Sequence, residues 1–213
     1  EGCFMAAMAL VLSCSTGSEH GMASWLPAYG IGVGGLSEQR MAVMSSGYWA
    51  SMCAGRIAWT LLSGVVRSSW PMLFFDVGLS LVSSLLLVGC SLLGHAWLFQ
   101  AGWLFQPLLW ISTVGLGAGV SSVVPCVYSL PPEAAVPLTP WSITMLNAAS
   151  TLGETSFPYL IGQSFEKRNF FVLGTMMAIS QLAALGACVL VWREARTMGP
   201  RRPIPLYEME FDT

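Results

Sequence analysis

Two glutamates stand inside apolar stretches of a chain that otherwise avoids charge: Glu19, in STGSEHGMASW, and Glu154, in NAASTLGETSFPYLIG. Small residues flank both, and each lies near the middle of a window long enough to cross a bilayer. A carboxylate at membrane depth costs at least about 2–3 kcal/mol on insertion scales, so it usually faces a protein interior or a wet cavity. There it handles protons, ions or polar solutes; the plainer reading is a buried hydrogen-bond acceptor that joins two helices. Asn147 lies seven residues before Glu154 and shares its helix face, with Ser150 and Thr151 between them. An acid, an amide and two hydroxyls along one face make a candidate wall for a polar solute. Glu19 is the candidate for a coupling ion, H+ or Na+, and His20 beside it reads as a tuning group or as a plain polar residue.

Aromatic side chains supply flat apolar surfaces for a pocket wall: Trp25, Tyr29, Tyr48, Trp49 and Trp110, with Gln100 and Gln106 as further polar partners. Trp70, Trp97, Trp141 and Trp192 fall at the ends of apolar runs and read as anchors at the membrane interface. Arg56 lies deep in an apolar run, where it either snorkels to the interface or pairs with an acid, Asp76 being the candidate across the short turn. Gly115 and Gly119, four apart, let a neighbouring backbone come close. Pro125 and Pro158 each remove a helix bond and bend their spans.

The elements that must position these residues are membrane helices. The chain is 54% hydrophobic and 9% charged, against about 25% charged in soluble domains. Lipid must therefore be its solvent. Six runs are candidates to span: Cys3–Ile31, interrupted at Thr16–Gly21, then Met41–Val66, Pro71–Leu93, Trp97–Leu130, Trp141–Phe165 and Phe170–Trp192. They are too long for barrel strands, and lipid offers no partner to an open backbone, so they read as helices. The six cysteines lie inside these runs without a CxxC or Cys/His cluster, and read as small packing residues rather than as a metal site or disulfide framework. A net charge of −2 and the lack of a basic block give no reason to expect a nucleic-acid partner.

Basic residues near the span ends set the orientation. Arg67, Arg193, Arg196, Arg201 and Arg202 lie on one side, and Arg40, Lys167 and Arg168 on the other, which places both chain ends in the cytoplasm. Residues 193–213 read as a polar cytoplasmic tail without fixed structure, and Tyr207–Thr213 as a segment that docks or sorts. The chain starts at Glu1 and enters an apolar run at once, without a basic leader, so it reads as a fragment lacking an N-terminal part. The first and fourth spans are long and glycine-interrupted and the third and sixth plain, a symmetry that points to an inverted-repeat transporter.

Four patches carry a family resemblance. GSEHGMASWLPAYG, with Gly17, Glu19, Gly21, Trp25 and Tyr29, resembles the first helix of the C-terminal half of certain major facilitator superfamily transporters. The branch is that of the fucose–galactose–gluconate proton symporters and the sodium-dependent glucose transporter-like proteins. Tyr48, Trp49, Gly55 and Arg56 resemble its next helix, with Tyr48 where Phe is usual, and the resemblance implies a gating or helix-pairing role for Arg56 rather than solute contact. GLGAGVSSVVP resembles its fourth helix, and Gly153, Glu154, Pro158 and Gly162 its fifth. The resemblance implies an all-α membrane protein, half of a major facilitator fold, with two inverted three-helix repeats over residues 1–192. It implies a secondary transporter that moves a small polar solute, a hexose, by alternating access, with the absent half of the same transporter as its partner. A six-helix channel or a non-transporting membrane scaffold is the alternative. No enzyme motif is present: HExxH, a phosphate loop and a serine with a histidine at matching depth are all missing, and no cofactor is expected.

Overall fold

The computed structural model describes residues 2–66, 68–95 and 102–197. Arg67, Trp97, Gln100, Arg201, Arg202 and Tyr207–Thr213, named above, lie outside the described residues. The described chain is all-helical: α1 (Gly2–Gly34), α2 (Glu38–Leu62), α3 (Ser69–His95), α4 (Gly102–Gly119), α5 (Val123–Glu133), α6 (Pro140–Glu166) and α7 (Phe171–Thr197). Among the described residues, three segments are long and apolar enough to cross a membrane by themselves: Trp70–Leu92, Leu104–Glu133 across a turn, and Phe171–Thr197.

The first run differs from expectation. α1 is one helix of 33 residues and passes straight through Thr16–Gly21. Its polar side chains fold back on their own helix: Thr16 Oγ1 donates to the Leu12 carbonyl, Ser18 Oγ donates to Cys14, and His20 Nδ1 bonds Thr16. Such bonds let polar residues continue a helix in an apolar setting. Gly17 and Gly21 are not breaks but seats, the first for the Phe157 ring and the second for Ile161 and Met177. The real break lies at residues 120–122, between α4 and α5. α7 also runs on to Thr197, so residues 193–197 are helix rather than tail, with the Arg196 guanidinium 3.7 Å over the Trp192 ring.

Helix ends follow local chemistry. Thr139 caps α6 by accepting from Ser142 N–H at 3.1 Å, and Pro140 opens the helix. Ser37 takes the same place before α2. Gly35, Ala135 and Arg168 close α1, α5 and α6 in the left-handed conformation, at φ 59°, 56° and 56°.

The elements recur at a fixed distance. α2 begins at 38 and α6 at 140, α3 at 69 and α7 at 171, so both pairs are 102 residues apart; α3 and α7 have 27 residues each. Packing follows the same rule. α1 packs chiefly on α6 and α7, α4 on α2 and α3, and α3 on α7. Exchanging α1 with α4–α5, α2 with α6, and α3 with α7 turns this set of pairs into itself.

Two apolar clusters fill the bundle, one at each end. One gathers Phe4–Cys14 with Leu73, Val77, Val123–Leu130 and Ala184–Val191. The other gathers Met22–Tyr29 with Met41–Met52, Leu87, Leu109–Val120, Ile161 and Met177. Every helix that enters both clusters is polar in between. Buried there are Ser15, Thr16, Ser18 and Glu19 of α1, Ser80, Ser83 and Ser84 of α3, Ser121 and Ser122, and Ser180 and Gln181 of α7.

Candidate functional site

The polar layer reaches the surface along α6. Thr16 Oγ1 on α1 also donates to the Ser150 carbonyl at 3.3 Å, and Gly153 presses on the Ser13 backbone. These contacts hold α1 and α6 side by side and bring Glu19 and Glu154 into electrostatic range of each other, together with His20 and Arg56. Glu19 is 8% exposed and Glu154 half-buried. Ser150 Oγ donates to Glu154 Oε1 at 2.7 Å. Pro158, four residues further on, has no N–H to give the Glu154 carbonyl, so the main chain adds a second acceptor at that residue. Trp25 Nε1 bridges from α1 to the Pro158 carbonyl at 2.8 Å.

Asn147 is exposed on the same face, and Tyr128 of α5 donates its hydroxyl to Asn147 Oδ1 at 2.6 Å. Thr151 is exposed and its hydroxyl bonds the Asn147 carbonyl. The structure thus gathers Glu19, Trp25, Asn147, Ser150 and Glu154 along the α1–α6 seam. Tyr29 and Trp49 stand elsewhere. Tyr29 is fully buried and ties α1 to α3 through Ser91 Oγ at 2.7 Å, whereas Trp49 is 45% exposed on α2. Tyr48 is fully buried, with its hydroxyl 3.4 Å from the Glu19 carbonyl.

Arg56 and Asp76 do not pair with each other. Pro125 cannot donate to the Ser121 carbonyl, which lies four residues before it, and Arg56 Nε donates to that carbonyl at 3.1 Å. Asp76, fully buried, accepts from Ser122 N–H at 3.0 Å, Ser122 Oγ at 2.5 Å and Trp59 Nε1 at 2.8 Å. The two charged side chains therefore grip opposite ends of one peptide unit, the 121–122 link at the break. Each meets a backbone group that the break leaves free. Glu133 closes the far end of α5 by accepting from Ser68 Oγ at 2.5 Å and Ser69 N–H at 3.0 Å. A cavity of about 520 Å³ lies between these contacts, lined by Arg56, Thr60, Ser63, Ser122 and Ser129.

Gly115 faces Ser83, and Gly119 faces the Ser80 and Asp76 backbone, so both glycines of α4 turn to α3. Sequence reasoning missed Tyr128, Ser122 and Gln181. Gln181 is fully buried on α7, and neither end of its amide has a partner among the described residues. No group of three or more His, Cys, Asp or Glu suited to a metal occurs among the described residues. No protein-family model, curated protein or solved structure matches the chain.

Proposed function

We propose that this chain is a six-span half of a major facilitator transporter, built from two inverted three-helix repeats, that moves a hexose by alternating access. The observation that carries the reading is the polar layer at mid-bundle, which opens on the α6 face as Asn147, Ser150 and Glu154 beside Glu19. Apolar clusters above and below it would confine a polar solute to that depth. The 102-residue recurrence and the exchange symmetry of the helix pairs support the repeats. The α1, α2, α4 and α6 surfaces would meet a second six-helix half across the solute, and Glu19 would take the coupling H+ or Na+. The cluster that includes Phe4 and Val191 would lie on the cytoplasmic side, with the α7 C-terminus.

The test is uptake of a hexose panel by the full-length protein in proteoliposomes, with and without a sodium gradient and a pH gradient. Saturable hexose uptake that Asn147→Ala and Glu154→Gln reduce, at unchanged protein abundance, supports the reading. Wild-type uptake untouched by both substitutions removes the α6 face from the site.

A further inference from the structure

We infer that the α6 face reads its solute with opposite hydrogen-bond polarity at its two ends, and that Tyr128 is the positioning residue that sets the polarity at one of them. The inference rests on the transport reading above and narrows its substrate class. Tyr128 donates its hydroxyl to Asn147 Oδ1 at 2.6 Å. The Asn147 oxygen is thus the atom held by the tyrosine, and the two N–H donors of its exposed amide have no partner among the described residues. Glu154 is the converse. Its carboxylate has one oxygen on Ser150, the other has no partner among the described residues, and Pro158 leaves its main-chain carbonyl without the usual helix donor. One end offers donors and the other only acceptors.

The two residues lie on one face of α6. Seven residues of helix separate them by about 10 Å along the axis. Two hydrogen bonds of about 2.8 Å each leave roughly 5 Å between the solute's own heteroatoms, a distance that hydroxyls across one pyranose ring can span. The solute that fits is a neutral polyhydroxyl ring. One of its hydroxyl oxygens accepts from Asn147, and a hydroxyl on the opposite side donates to Glu154. A sugar acid is disfavoured at the Glu154 end, where its carboxylate would meet acceptors and no free donor.

Deoxyfluoro sugars test this directly, since fluorine accepts a hydrogen bond but cannot donate one. Uptake of D-glucose and D-galactose by the full-length protein in proteoliposomes is competed with their mono-deoxy and mono-deoxyfluoro analogues at each carbon. In the wild type, at the carbon facing Asn147, the fluoro analogue competes and the deoxy analogue does not. At the carbon facing Glu154 both analogues fail. Tyr128→Phe raises KM about five-fold, as expected for loss of one hydrogen bond. It holds the maximal rate and erases the fluoro–deoxy difference at the first carbon only. Asn147→Asp keeps an acceptor for Tyr128 but removes the donors, and abolishes that difference too. An unchanged analogue pattern in Tyr128→Phe overturns the inference while leaving the transport reading intact. So does a fall in maximal rate that merely follows protein abundance. Absence of any hexose uptake by the wild type overturns the transport reading, and the polarity assignment with it.

Discussion

Gly119 offers the sharpest quantitative test of how the helices are held. A Cβ at this position would lie 2.7 Å from the Ser80 backbone nitrogen and 2.9 Å from the Asp76 carbonyl oxygen. Ordinary van der Waals contact begins at 3.4 Å, and backbone atoms inside a helix cannot step aside as a side chain can. Gly119→Ala must therefore push α4 off α3 by roughly 0.7 Å, a gap that forfeits a quarter to a half of each dispersion contact it opens. Over-packing of this kind costs about 1–3 kcal/mol, and the better helix propensity of alanine returns about 1 kcal/mol. The net loss of up to about 2 kcal/mol corresponds to a fall in Tm of up to about 8 °C for a chain of this length. Gly186→Ala is the control. It sits on an exposed face of α7 with nothing within 4 Å of a new Cβ. Only the propensity gain applies there, so Tm should rise by about 2–4 °C. The assay is thermal unfolding of the purified protein in detergent, followed by size-exclusion chromatography of heated samples. A Gly119→Ala protein that melts at or above the parent temperature refutes the packing argument.

Glu19→Gln in the full-length protein should abolish concentrative hexose uptake while downhill exchange survives, and intact concentrative uptake would show that Glu19 is not the coupling residue. Asp76→Asn replaces an acceptor of three bonds by an amide whose N–H2 opposes the Ser122 N–H, and should cost about 1–3 kcal/mol in the same melting assay. Trp59→Phe removes one donor to Asp76 and should cost about 1 kcal/mol, so equal losses in the two variants would contradict the three-bond picture. Ala135→Gly and Arg168→Gly relieve left-handed backbone at helix ends and should each stabilise by about 1 kcal/mol; a fall in Tm would show that those side chains make contacts that outweigh the strain.

Much of the helical plan was legible in hydropathy, because apolar runs of bilayer length have few other ways to fold. The third and sixth runs, uniformly apolar, emerge as α3 and α7 within a few residues of the expected ends. The first run misled for a definite reason. Gly17, Ser18, Glu19, His20 and Gly21 lower the hydropathy locally, but Ser18 and His20 bond back to their own helix and the glycines admit side chains from α6 and α7. Composition cannot show that a polar residue is satisfied i to i−4. At Pro125 the sequence does say which carbonyl is freed, since it lies four residues earlier at Ser121. That Arg56 answers it, and Asp76 the neighbouring N–H, depends on the packing of α2 and α3 around the break. Tyr128 gave no signal at all, because its role comes from a residue 19 positions later on another helix.

The recurrence at 102 residues has a consequence for shape. The two long helices that exchange under it, α1 and α4–α5, are built differently: one is continuous and the other is broken at residues 120–122. Carried back by the recurrence, that break falls at residues 18–20, inside the stretch of α1 whose composition resembles a break. A pair of equivalent rods with one broken and one continuous has a mirror arrangement in which the roles are traded. Because the chief helix pairs map onto one another under the exchange, the trade would keep those pairs. Under the proposed transport reading, trading the break from α4–α5 to α1 would be a step of alternating access.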